Sequence, residues 1–170
     1  IVRTKNLFNV IDCSMQWHTE GDYFGVLATR QGKNKKQVIC GFELFRMRQK
    51  DIPVDVIELT KQQQAEKQQE VLSVSFEPNG DRLMVAVKEE FKIMISFYQL
   101  CHHDKTGSLP TTKLLKTLER KLLTRFLWSP RGDYALFTGM EATSGYMEFW
   151  SINDFVMLCS KEQVTATDAE

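Results

Sequence analysis

The sequence predicts an all-β chain of three repeated four-stranded antiparallel units, and three observations carry that reading. A bulky aromatic is followed four residues later by glycine three times, in Trp17-His18-Thr19-Glu20-Gly21-Asp22-Tyr23, Phe76-Glu77-Pro78-Asn79-Gly80-Asp81-Arg82 and Trp128-Ser129-Pro130-Arg131-Gly132-Asp133-Tyr134. Period-two alternation leads into each copy, and a nearly continuous apolar run leaves it, the patterns of a half-covered and a fully covered strand. An aromatic-rich segment further on then aligns residue for residue in all three copies. Helical periodicity is scarce, and self-similarity at such spacing signals a repeat architecture.

The elements follow in order. The alternating lead-in places Cys13, Met15 and Trp17 on one face in the first unit, Leu72, Val74 and Phe76 in the second, and Thr124, Phe126 and Trp128 in the third. A tight turn comes next. Pro78 and Pro130 pre-set φ for the second turn position, and Gly21, Gly80 and Gly132 supply the backbone freedom that closes the hairpin. The apolar runs at 23–28, 82–87 and 134–139 are the second strands. Third strands read Phe42-Glu43-Leu44-Phe45, Ile95-Ser96-Phe97-Tyr98 and Met147-Glu148-Phe149-Trp150, and weaker fourth strands are expected at 54–59, 114–119 and 155–160. The interval from turn aromatic to third strand is equal in units two and three, and longer in unit one by extra residues around Gly32–Lys36.

Four antiparallel strands per repeat of somewhat over ~45 residues is the pattern of β-propeller blades. The expected organisation is an outer strand of a preceding blade at 1–8, a blade at 9–59, a polar insertion at 60–70, blades at 71–119 and 120–161, and the start of another at 162–170. Closed propellers use ~4–8 blades or more, so three leave open flanks, and the chain is expected to be part of a larger propeller. The polar stretch from Thr60 to Glu70, rich in Gln62, Gln63, Gln64, Gln68 and Gln69, has good helix formers without an apolar face and reads as a solvated loop or short surface helix.

Composition narrows the function classes. Lys plus Arg equals Asp plus Glu at 22 each, for a net charge of zero, so a general electrostatic grip on nucleic acid is not indicated, although local patches are open to it. No apolar run approaches the ~18–20 residues of a membrane span, and no small-molecule or membrane partner is expected. Cys13, Cys40, Cys101 and Cys159 share no C-x-x-C spacing and read as small core residues in a reducing cytoplasm.

Candidate chemistry is sparse. Cys101-His102-His103-Asp104 is the one cluster of metal donors, but adjacent side chains in extended backbone point apart and no second donor pair exists at zinc-type spacing. No nucleophile elbow, phosphate-binding glycine loop or H-E-x-x-H motif occurs, so no catalytic residue, metal or cofactor is expected. His18 reads as a solvated turn residue. Asp22, Asp81 and Asp133, recurring after each turn glycine, read as structural. The main candidate for contact with phosphates is the extended loop of unit one with Arg30, Lys33, Lys35 and Lys36. Arg46, Arg48 and Lys50 at the opposite end of that unit are a second set, and Lys113, Lys116, Arg120, Lys121 and Arg125 a third. The aromatics Phe42, Phe45, Phe97, Tyr98, Phe149 and Trp150 recur in phase and read as core between units rather than as a platform for bases.

Specific strings add a resemblance. Arg3-Thr4-Lys5-Asn6-Leu7-Phe8-Asn9-Val10-Ile11-Asp12-Cys13, Phe42-Glu43-Leu44-Phe45-Arg46-Met47-Arg48, Pro53-Val54-Asp55-Val56-Ile57-Glu58-Leu59, Phe76-Glu77-Pro78-Asn79-Gly80, Ser96-Phe97-Tyr98 and Trp128-Ser129-Pro130 together resemble the β-propeller of the b-subunit family of eukaryotic translation initiation factor three. The resemblance implies a non-catalytic scaffold with a nine-bladed propeller, partnered by other subunits of the factor and docking on the small ribosomal subunit, its RNA and its proteins. The Gly-His and Trp-Asp pairs of ordinary WD repeats are absent, and the Gln-rich stretch is longer than the family implies. Two other readings stay open: an interaction module of an unrelated complex, and the propeller of a prolyl-oligopeptidase-type peptidase whose serine elbow would lie outside this segment.

Overall fold

In the computed structural model the described residues are 3–32, 38–59, 69–89, 92–101, 112–121, 125–139 and 145–162. They form three four-stranded sheets. The first holds β1 (Val10–Trp17), β2 (Tyr23–Gln31), β3 (Val38–Arg46) and β4 (Val54–Glu58). The second holds β5 (Gln69–Phe76), β6 (Arg82–Glu89), β7 (Lys92–Leu100) and β8 (Thr112–Lys121). The third holds β9 (Arg125–Trp128), β10 (Tyr134–Gly139), β11 (Tyr146–Ser151) and β12 (Val156–Lys161). Every sheet is an antiparallel meander in sequence order. These are propeller blades, as expected. Among the described residues no helix is long and apolar enough to cross a membrane.

The aromatic-to-glycine motif makes the same turn three times. The amides of His18, Glu77 and Ser129 donate to the carbonyls of Tyr23, Arg82 and Tyr134, each at 2.9 Å. Gly21 (φ 75°) and Gly132 (φ 79°) are left-handed, where L side chains pay a steric penalty. Gly80 is not left-handed, contrary to the expectation. It is small for another reason: a Cβ there would stand 2.3 Å from Glu77 Oε2.

The register is shared. Gly25 pairs with Leu44, Met84 with Phe97 and Leu136 with Phe149, so Leu44, Phe97 and Phe149 occupy one position in three blades. Each blade has a forward face, toward the next blade in sequence, and a rear face. The forward side chains Phe42 and Leu44 meet Leu83, Val85 and Phe76 of the second blade in one core. A second core joins Met84, Ala86, Ile95 and Phe97 of the second blade to Ala135, Phe137 and Trp150 of the third. The middle blade is thus covered on both faces, which explains the unbroken apolar run of β6, buried from Leu83 to Ala86.

The two outer faces correct several expectations. The aromatic stripe divides by strand alternation. Phe42 and Phe97 are fully buried on forward faces and Trp150 is buried on a rear face, but Phe149 is 38% exposed because the forward face of the third blade has no blade against it. Met15 and Trp17 are exposed on the rear face of the first blade for the same reason. Of the cysteines only Cys40 is buried; Cys13 and Cys159 are exposed, since each lies on one of these uncovered faces. Residues 3–8 form no strand, and Gln69 and Glu70 belong to β5, paired with Glu89 and Lys88, instead of to a loop. The rest of the Gln-rich stretch (60–68) lies outside the described residues, as do 163–170.

Candidate functional site

The basic candidates separate sharply. Arg30 sits on β2 and its Nη2 donates to Glu43 Oε1, with Lys5 Nζ 4.0 Å from the other oxygen. Glu43 is 1% exposed, so Arg30 neutralises a buried carboxylate. Arg46 is also 1% exposed. It ends β3 opposite Tyr23, with Nε donating to Asp55 Oδ2 at 2.6 Å and its guanidinium 5.8 Å from the Tyr23 ring. Its place in an exposed basic set is therefore corrected: alternation along β3 turns it onto the covered forward face. Arg48 is exposed and paired with Asp22, and Lys50 is exposed. Lys33, Lys35 and Lys36 lie outside the described residues. In the third set Lys113, Lys116 and Arg125 are exposed, the Arg120 side chain is not among those described, and Lys121 turns inward.

What Lys121 reaches is a clasp between blades. From the end of β8 its Nζ donates to Glu148 Oε1 and Oε2 at 3.0 and 2.9 Å and stands 4.6 Å from the Trp150 ring centre. Tyr146 Oη and Trp150 Nε1, the latter at 2.7 Å, also donate to Glu148. Burial pushes the Glu148 carboxyl up, but the hydrogen bonds from Tyr146, Lys121 and Trp150, together with the lysine charge, outweigh it and hold the group below the usual carboxylate range. Burial, followed by the bond to Glu148, pushes the Tyr146 hydroxyl up to about 12.

The turns carry further clasps. Tyr23 Oη of the first blade donates to Asp81 Oδ1 of the second at 2.7 Å, and burial followed by that bond raises its phenol above the ordinary range. Arg82 holds Glu77 through Nε at 2.8 Å and crosses to the third blade, donating to the carbonyls of Gly132 (3.1 Å) and Ile152 (3.2 Å) and to Asn153 Oδ1 (3.1 Å). Asn79 Nδ2 donates to the Pro130 carbonyl at 2.9 Å. The recurring aspartates take separate partners: Arg48 for Asp22, Tyr23 for Asp81 and Asn153 for Asp133.

His18, expected in solvent, is 3% exposed, its ring edge-on to Tyr23 and Phe76 at 5.6 and 5.9 Å. The second blade's Phe76 covers it, which a reading of one turn in isolation does not see. Sequence reasoning also misses the glutamate clasps. Their signal is present in the aligned third strands, where Glu43, Ser96 and Glu148 share one position; Ser96 Oγ there meets Thr117 Oγ1 at 3.1 Å. Among the described residues the buried carboxylates of Glu43, Asp55, Glu77 and Glu148 are each tied to a basic side chain. Only Glu148 takes its cation from another blade; the other three are paired within their own blade, where a buried charge needs a partner.

Comparison with known proteins gives the lineage. Residues 5–170 match the family described as eukaryotic translation initiation factor eIF2A. Relatives named as the B subunit of eukaryotic translation initiation factor 3 include those of Xenopus laevis, 31% identical over 99% of the chain, Arabidopsis thaliana, 35% over 90%, and Bombyx mori, 38% over 92%. The chain spans only 22%, 20% and 22% of those relatives' lengths. Among solved structures, a crystal structure of a eukaryotic initiation factor superposes with a TM-score of 0.60 at 12% identity, covering 95% of this chain and 33% of that one. The β-propeller domain of the Trilobed protease from Pyrococcus furiosus superposes with 0.61 at 12%, covering 90% and 44%. At such identities these two likenesses speak to the fold alone. The three blades, the family match over residues 5–170 and the relatives agree: the chain belongs to the eukaryotic translation initiation factor eIF2A family and resembles, within it, the propeller of the initiation factor 3 B subunit.

Proposed function

We propose that the protein is a non-catalytic scaffold of the initiation factor 3 complex, its propeller docking on the small ribosomal subunit of the cytoplasmic pre-initiation complex beside other subunits of the factor. One observation carries the reading: relatives named as the B subunit of that factor align over 90–99% of the chain. The buried carboxylates, each paired with a basic side chain, support a role in holding shape.

The proposed RNA contact is the basic loop with Lys33, Lys35 and Lys36, since an insertion relative to sister blades has no packing duty to explain its charge. Arg30 is withdrawn from that contact by its bond to Glu43. Arg48 and Lys50 form the secondary candidate at the other end of the blade. Binding through lysines to phosphates weakens steeply with salt. The test is co-sedimentation of the full-length protein with purified small ribosomal subunits, alongside a variant carrying Lys33→Glu, Lys35→Glu and Lys36→Glu. The wild type is expected in the ribosomal fraction, and the variant to bind about ten-fold or more weakly. A wild type that stays in the supernatant overturns the docking role, whereas equal binding by the variant removes only the loop.

A further inference from the structure

The outer edge of the second blade differs from its sisters in length, exposure and charge. β8 is ten residues long, against five for β4 and six for β12, whereas natural edge strands are commonly kept short to discourage pairing. Lys113, Leu114, Leu115 and Lys116 are exposed in succession, where alternation on a covered blade would turn every second side chain inward. A bulge is the cause. Phe97 pairs with Lys116 and Tyr98 with Leu114, so Leu115 stands opposite no residue of β7. Both leucines therefore reach solvent, Leu114 at 53% and Leu115 at 36% exposure.

A missing neighbour does not account for this surface. Among the described residues the second blade is the one with a blade against each of its faces. The charge is also particular to it. The position that Lys116 takes opposite Phe97 holds Asp55 opposite Leu44 in the first blade and Cys159 opposite Phe149 in the third. Among the described residues neither Lys113 nor Lys116 has an acidic partner. β8 ends its sheet, so its outward N–H and C=O groups face no further strand among those residues.

We propose that the β8 edge takes up an extended acidic segment of a partner protein as a fifth strand of the blade. Main-chain hydrogen bonds to an open edge give such a strand its affinity, and side chains give it specificity. Here Leu114 and Leu115 offer apolar contact to aliphatic side chains of the segment, while Lys113 and Lys116 select carboxylates beside them. A second copy of this edge is a poor occupant, because it would set lysine against lysine across the new pair. RNA is a poor occupant as well, since lysines holding phosphates would leave the two leucines and the strand edge without a role. The inference is separate from ribosome docking through the basic loop.

The test pans a phage library of random peptides, each about the length of β8, on the full-length protein. Counter-selection uses a variant carrying Lys113→Glu and Lys116→Glu. Surviving sequences are expected to alternate aliphatic with acidic residues. A fluorescein-labelled synthetic copy of the best should bind the wild type about ten-fold more tightly than it binds that variant, or one carrying Leu114→Ser and Leu115→Ser. Lys92 is an exposed lysine on β7 of the same blade, and Lys92→Glu should bind like the wild type, which separates lost contact from lost fold. Binding should slow amide exchange over residues 112–117 about five-fold. Methylating alternate backbone nitrogens of the peptide should abolish binding, because an added strand is held through its main chain. Failure to recover any peptide that depends on these four side chains overturns the proposal, as do basic or uncharged survivors and binding that backbone methylation leaves unchanged. A dimer of the protein lost in the leucine variant would assign the edge to a second copy. Fluorescein-labelled oligouridine bound by the wild type and released in the lysine variant would assign it to RNA, and either result overturns the proposal.

Discussion

At the residue scale the most consequential side chain is Glu148, buried between two blades and held by Lys121, Tyr146 and Trp150. Removing a partner of such a buried pair leaves an uncompensated charge. Lys121→Met is therefore expected to destabilise the contact between the second and third blades by about 3–5 kcal/mol, read in the full-length protein as faster amide exchange along β10 and β11. Its pH dependence follows from the depressed Glu148 carboxyl. A carboxylate favoured by the fold stabilises it fully above the ordinary glutamate value of ~4.3, and that contribution disappears as pH falls through the lower folded value. Acid exposure should loosen β11 in the wild type, and Glu148→Gln should flatten that dependence. Tyr146 acts at the other extreme: its hydroxyl, pushed up to about 12, supports the clasp below the ordinary tyrosine value of ~10, and its contribution is lost as pH rises through about 12.

At the element scale the glycines of the turns separate two kinds of requirement. Gly21 is left-handed with open space around its missing Cβ, so Gly21→Ala is expected to cost about 1–2 kcal/mol through backbone strain alone. Gly132 is equally left-handed, but a Cβ there would stand 2.3 Å from Glu77 Oε1, and Arg82 holds that carboxylate in place. Gly132→Ala should cost clearly more, and comparative amide exchange of the turn peptides in the two variants measures the difference. The blade order, turns and strand phases are legible in the sequence because alternation and turn chemistry are local, and the second strands begin where the apolar runs do, at Tyr23, Arg82 and Tyr134. What escapes it is what a neighbouring sheet decides. His18 is buried because Phe76 of the next blade lies over it, and Arg46 is buried because alternation carries it onto a covered face. Gly80 reads like its sister glycines and serves close approach instead of left-handed backbone.

At the scale of the whole molecule, two faces remain half-interfaces. Phe97 is fully buried and Phe149, at the same register position, is 38% exposed. Phe97→Ala should therefore cost about 3–5 kcal/mol through the cavity it leaves, and Phe149→Ala markedly less when residues 1–170 are studied alone. That isolated chain also exposes Trp17 and Met15 at its other flank. Uncovered apolar sheet surface invites association, so a monomeric sample of residues 1–170 is expected to melt broadly; a sharp cooperative melt of the monomer would show that three blades suffice.

The central claim is that this propeller works as a scaffold of translation initiation. Its most direct test is affinity purification of the tagged full-length protein from its own cells, followed by mass spectrometry of what remains bound at physiological salt. The account predicts other subunits of initiation factor 3 together with proteins of the small ribosomal subunit. Recovery of an unrelated complex, or of a peptidase activity with neither of those partners, would contradict it.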